Sequence, residues 1–178
     1  MGEGRKMIYK DYYEEPGIKE ICHAIKQAED PYARQIALHT VADCLAREVR
    51  DIGSPCFLIP APQSSGRAEY TKDICMLISG MTGANVLDVV GCVPHEPVYT
   101  QKRKGIYGEN LRAEFFRTGD VPEAGALFFV DNVIATGETY TRICRLLSRK
   151  PVPLVYAVDH KKLKDKKILG TGNLKRSF

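Results

Sequence analysis

Residues 126–139 read Ala126-Leu127-Phe128-Phe129-Val130-Asp131-Asn132-Val133-Ile134-Ala135-Thr136-Gly137-Glu138-Thr139. The apolar run 127–130 has the character of a strand buried on both faces of a parallel sheet. It meets an acid, Asp131, then a short loop at 135–139, and then a helical pattern. Backbone N–H groups and threonine hydroxyls at the positive end of a helix can cradle a phosphate. A carboxylate just upstream can accept hydrogen bonds from two vicinal sugar hydroxyls. The stretch therefore predicts a strand–loop–helix junction built for a phosphorylated sugar.

Working outward, residues 56–59, 86–92 and 154–158 are short apolar runs bounded by Gly, Pro or polar residues, and each predicts a further strand. Helical patterns occupy about 67–81 and 139–150. Strands alternating with helices predict an α/β fold, a mostly parallel sheet of about five strands flanked by helices. Ligands of such sheets lie at the carboxyl ends of the strands. The first fifty residues read as a helical element, over 17–28 and 32–49, the second started by Asp30-Pro31. In that second helix Ile36, Val41, Cys44, Leu45 and Val49 form one apolar stripe, with Arg34, Arg47 and Arg50 outside and His39 at the core edge or the surface rather than a ligand. One domain spans 1–178, as an N-terminal helical element (1–53), a core (54–160) and a basic tail (161–178).

Composition is that of an ordinary globular protein, 44% hydrophobic and 27% charged over 178 residues. Six cysteines without a C-x-x-C pair indicate neither a zinc site nor a disulfide framework, and the expected home is a reducing cytoplasm. No apolar run approaches membrane-spanning length. The net charge of +4 concentrates in 160–178, where seven Lys or Arg stand against Asp165 alone. That tail reads as a solvated or frayed end. A nucleic-acid partner is the less favoured reading, because no aromatic–basic alternation suggests a stacking platform. A homodimer would be the commonest assembly for a protein of this size.

Two more segments leave strands at the same edge. Gln63, Ser64, Ser65, Gly66 and Arg67 make a tight polar connection whose amides, hydroxyls and guanidinium suit an anion. Residues 97–116 form a polar connection with three consecutive cations, Lys102, Arg103 and Lys104. A structureless connection of that length is usually functional, here as a cationic flap. Asp159 and His160 fall at the end of the last strand, where either could touch a base or a metal.

Taken together, the strand with Asp131 and the Thr136-Gly137-Glu138-Thr139 loop resembles the signature of the type I phosphoribosyltransferases, which bind 5-phosphoribosyl-1-pyrophosphate (PRPP). The exit Ile59-Pro60-Ala61-Pro62 with Arg67, and the flap Thr100-Gln101 followed by Asn110-Leu111-Arg112-Ala113-Glu114-Phe115, are similar to the ComF-like branch. The likeness covers about residues 56–159, without that branch's four-cysteine ribbon. Asn132 and Ala135 depart from the signature, which has a second acid and commonly Thr or Asp there. The resemblance implies a phosphoribosyltransferase using PRPP with Mg²⁺ and an unidentified acceptor base. Asp131 and Asn132 would serve the ribose, with Asp131 also touching the metal. Ala135, Thr136, Gly137, Glu138 and Thr139 would hold the 5′-phosphate, with the Glu138 side chain turned to solvent. Gln63, Ser64, Ser65, Gly66, Arg67 and Lys104 would meet the pyrophosphate, with Lys102 and Arg103 among the catalytic groups. Loss of the second acid at Asn132 leaves two outcomes open. One is a working enzyme; the other is a protein of the same fold that senses PRPP or a nucleotide, or assists DNA handling, without turnover.

Overall fold

A computed structural model describes residues 9–52, 54–106, 113–163 and 166–169. Residues 107–112 of the expected flap, and 164–165 and 170–178 of the expected tail, lie outside the described residues. A two-residue strand, β1 (Lys10–Asp11), precedes helices α1 (Ile18–Gln27) and α2 (Pro31–Arg50). The Asp30 carboxylate accepts from Tyr32 N–H at 3.0 Å and Pro31 fills the first turn, so α2 starts where the sequence signals it. Then follow β2 (Cys56–Pro60), α3 (Tyr70–Thr82), β3 (Asn85–Val86), β4 (Val90–Cys92), α4 (Val98–Arg103), β5 (Phe115–Arg117), β6 (Ala126–Ile134), α5 (Glu138–Leu146) and β7 (Val152–Val158). A 3₁₀ turn, Lys166–Leu169, ends the described chain.

Five strands form a sheet in the order β1-β7-β6-β2-β3, every pair parallel. This is the α/β architecture expected, a parallel sheet flanked by helices. Alternation along the strands sends Leu58, Phe128, Val130, Leu154 and Tyr156 into one core with α1, α2 and α3. Ile59, Leu127, Phe129 and Val155 enter a second core with Tyr140 and Ile143 of α5. Among the described residues no helix is long and apolar enough to cross a membrane.

Several sequence expectations are revised. The first fifty residues are not all helix, since β1 adds an edge strand against β7. The run 86–92 divides: Asn85–Val86 joins the main sheet, whereas Val90–Cys92 turns away and pairs antiparallel with β5. The flap is not structureless, because α4 and β5 take part of it. Ile36 leaves the apolar stripe of α2 and is 53% exposed. Ala37, Leu38, Val41, Ala42, Leu45, Ala46 and Val49 make the buried face. Arg34 is not simply outside: its Nε donates to Ile25 O at 3.1 Å and it pairs with Asp73. Among its described residues the tail is packed rather than frayed, because Leu163, Ile168 and Leu169 are buried in the second core.

Candidate functional site

Strand β6 outruns its neighbour. Its pairing with β2 ends at Pro60–Val130, closed by a bond from Ala61 N–H to Val130 O at 2.9 Å. Pro60 and Pro62 lack the N–H groups that would extend the ladder. On the other side, β6 stays paired with β7 as far as Ile134–Val158. Hence the segment with Asp131, Asn132, Val133 and Ile134 has β7 on one flank and no strand on the other. The chain leaves β2 through α3 toward β3, and leaves β6 through α5 toward β7, in opposite directions across the sheet. A crevice opens at such a switch point, at the carboxyl ends of the strands.

The strand does not stop at the acid as the sequence suggested; it carries Asp131 and Asn132 inside it. Asp131 is half-buried at the crevice, and its Oδ1 accepts from Asn132 N–H at 2.7 Å. Burial pushes its carboxyl above the usual carboxylate range, while the Lys26 charge and the N–H groups of Asn132 and Val133 pull it back. Asn132 does something else. It is 0% exposed, and its Nδ2 donates to Cys22 O of α1 at 3.3 Å. Its Oδ1 accepts from the Tyr70 hydroxyl at the start of α3, at 3.4 Å. The amide therefore ties α1 and α3 to the central strand, and it does not face the crevice as a substitute acid. Burial holds the Tyr70 phenol well above its ordinary value, so it remains a neutral donor. Burial likewise pushes the Cys22 thiol up to about 12, which leaves it inert.

The phosphate-type loop is built where the sequence put it. Gly137 caps α5 with φ +77°, a left-handed conformation that favours glycine. A Cβ there would also run into Ile168 Cδ1, so the C-terminal turn backs the loop from behind. Glu138 N–H reaches Thr136 Oγ1 at 3.4 Å, and Thr141 Oγ1 donates to Gly137 O. The first-turn N–H groups of a helix have no intrahelical acceptor and carry its positive end. Ala135, Thr136 and Thr139 are half-buried beside them.

Glu138 does not turn to solvent. Its carboxylate sits between Arg142, at 2.8 Å, and Lys102 of α4, at 3.8 Å. Arg142 also donates to Ala113 O at 2.7 Å, so the first two turns of α5 hold the flap segment at both Lys102 and Ala113. Lys104 pairs instead with Glu96 at 2.7 Å, and Arg103 is exposed.

Of the loop after β2, Gln63 is spent on structure rather than free for a ligand. Its Nε2 donates to Ala61 O and Thr71 Oγ1, and its Oε1 accepts from Glu69 N–H. Gly66 has φ +106° and its carbonyl accepts from Cys92 N–H, locking the loop against β4. Ser65 Oγ donates to Glu69 at 2.5 Å, Ser64 O accepts from His95 N–H, and Arg67 is exposed. Asp159 is likewise consumed. At 1% exposure it accepts from Lys161 and Lys162 N–H and pairs with Lys162, capping the turn after β7. His160 stacks near Tyr9, with ring centroids 5.4 Å apart.

Lys26, Tyr70 and Arg142 carry no local signal in the sequence, and only the fold brings them to the site. A cleft of about 820 Å³ adjoins it, lined by His95, Glu96, Gln101, Lys104, Glu114 and Arg142 among others. Among the described residues no three His, Cys, Asp or Glu side chains converge as a metal cage. Comparison with models of protein families, with curated proteins and with solved structures finds no significant match.

Proposed function

We propose that the crevice binds PRPP and that the protein transfers its phosphoribosyl group to a nitrogen base, releasing pyrophosphate. One observation carries this reading: Asp131, on the unpaired flank of β6, and the 135–139 loop, at the positive end of α5, meet at a single switch point of a parallel sheet. In this reading the N–H groups and hydroxyls of Thr136, Gly137 and Thr139 hold the 5′-phosphate. The Asp131 carboxylate accepts hydrogen bonds from the ribose hydroxyls. It also faces the ring that gains positive charge as the C1′–O bond breaks and the acceptor's nitrogen lone pair forms the new bond.

Ser64, Ser65, Gly66 and Arg67 meet the pyrophosphate, with Lys102, Arg103 and Lys104 as the nearby cations of the flap. Mg²⁺ supplies charge neutralisation on the leaving group. A lone carboxylate fits a metal that arrives on the pyrophosphate better than one caged by the protein. Lys26 matters because its charge pulls the Asp131 carboxyl back against the upward push of burial.

A second reading has its own support. Because Asn132 is buried between α1 and α3, the crevice offers one carboxylate where the signature has two. That favours a protein that holds PRPP or a nucleotide without turning it over. Calorimetric titration with Mg²⁺-PRPP, followed by assay of pyrophosphate release over a panel of purine and pyrimidine bases, separates the two. Binding with release supports the transferase, binding without release supports the sensor, and no binding overturns both.

A further inference from the structure

The N-terminal helix carries a pattern invisible along the chain. Lys19, His23 and Lys26 fall at spacings of four and three, one face of α1, and all three are exposed. Each is matched to a tyrosine. Lys19 Nζ stands 6.0 Å from the Tyr13 ring centroid, His23 Nε2 is 2.8 Å from the Tyr12 hydroxyl, and Lys26 Nζ lies 5.3 Å over Tyr70. Tyr12 and Tyr13 themselves meet edge to face at 5.0 Å. The track runs for about 10 Å along two helical turns and ends beside Asp131.

A second stretch of chain completes its outer end. Lys161, almost 150 residues away in sequence, brings its ammonium to 4.9 Å from the Tyr13 centroid, and Lys162 comes to 6.0 Å. Lys162 is neutralised by Asp159. Lys19 and Lys161 have no carboxylate partner among the described residues, so two uncompensated cations converge on one ring that is itself 42% exposed. A cation beside an aromatic face is favourable in itself, and these two ammonium groups keep their charge available to an anion; a ring for stacking beside cations for phosphate is how nucleotides are held.

We infer that this track is a nucleotide-binding site, Tyr13 taking the base and Lys19 with Lys161 the phosphate. The ligand is either a free nucleotide or one within a single strand, since both present the same chemistry. This binding does not rest on the PRPP reading.

The test is calorimetric titration of the full chain with UMP, uridine, inorganic phosphate and octathymidylate. It is run on the wild type, Tyr13→Ala, the double variant Lys19→Glu/Lys161→Glu, and Glu123→Gln, an exposed residue away from the track, as a control, with unfolding curves to confirm each fold. UMP should bind more tightly than uridine or phosphate alone, and each track variant should weaken it at least about fivefold, as loss of one stacked base does. Binding of octathymidylate only, with steep salt dependence, assigns the nucleotide to a strand and supports the same site. Failure of both UMP and octathymidylate to bind, or unchanged binding in folded track variants, overturns the inference. Nucleotide binding that survives in a protein indifferent to PRPP upholds the track and removes the transferase reading.

Discussion

Asn132 is the residue at which the chain departs most from the signature it resembles, and its surroundings explain the departure. A carboxylate at this place would face Cys22 O, an acceptor that only a donor can satisfy. Asn132→Asp should therefore destabilise the protein by about 1–3 kcal/mol in denaturant unfolding near neutral pH. It should not raise activity, because the new acid would sit between α1 and α3 rather than in the crevice. Stability equal to wild type together with improved turnover would contradict this account.

Asp131 makes the opposite case. Its folded-state pKa is raised, so the folded protein holds its proton more tightly than the unfolded chain. Stability from this group grows as pH falls through the folded pKa and is lost as pH rises above it. Asp131→Asn removes the ionised carboxylate and should raise stability at neutral pH. The gain should shrink as pH is lowered through the range just above the ordinary aspartate value. A gain that does not depend on pH would point to another cause.

Elements differ in how much of them the sequence announces. The β6–α5 junction and the Asp30-Pro31 start of α2 were legible because their signals are local: an apolar run, a glycine where φ is +77°, a capping acid two residues from its partner. What escaped was set by distant partners. Asn132 is braced by Tyr70 and Cys22, 62 and 110 positions away, and no window of sequence contains such a bond. The tail misled for a related reason. Its lysines dominate the composition, yet Leu163 and Ile168 decide its fate by packing behind Gly137, with Leu169 buried in the same core. Truncation after His160 should therefore cost several kcal/mol, since burial of each such side chain is worth about 1.5–3 kcal/mol. A freely solvated tail would cost nothing, and thermal unfolding of the truncated chain distinguishes them.

For the molecule as a whole, the topology does the positioning. Crossovers that leave β2 and β6 in opposite directions open the crevice, and prolines that end β2 early leave the flank of Asp131 unpaired. That edge of the sheet was legible from the alternation of strands and helices. The wall that α1 builds beside it was not, because nothing in the helix pattern says where the N-terminal element docks. Its amide contact to β6 and the charge of Lys26 make this element part of the site rather than an appendage.

The most direct measurement is thermal unfolding with and without Mg²⁺-PRPP, in the wild type and in Asp131→Ala. Ligand at about a hundred times its dissociation constant adds roughly 2.7 kcal/mol, or about 5–10 °C for a chain of this length. A shift of that size is expected in the wild type, and its loss in the variant. No shift in the wild type, or an equal shift in both, would contradict the claim that the crevice at Asp131 binds PRPP.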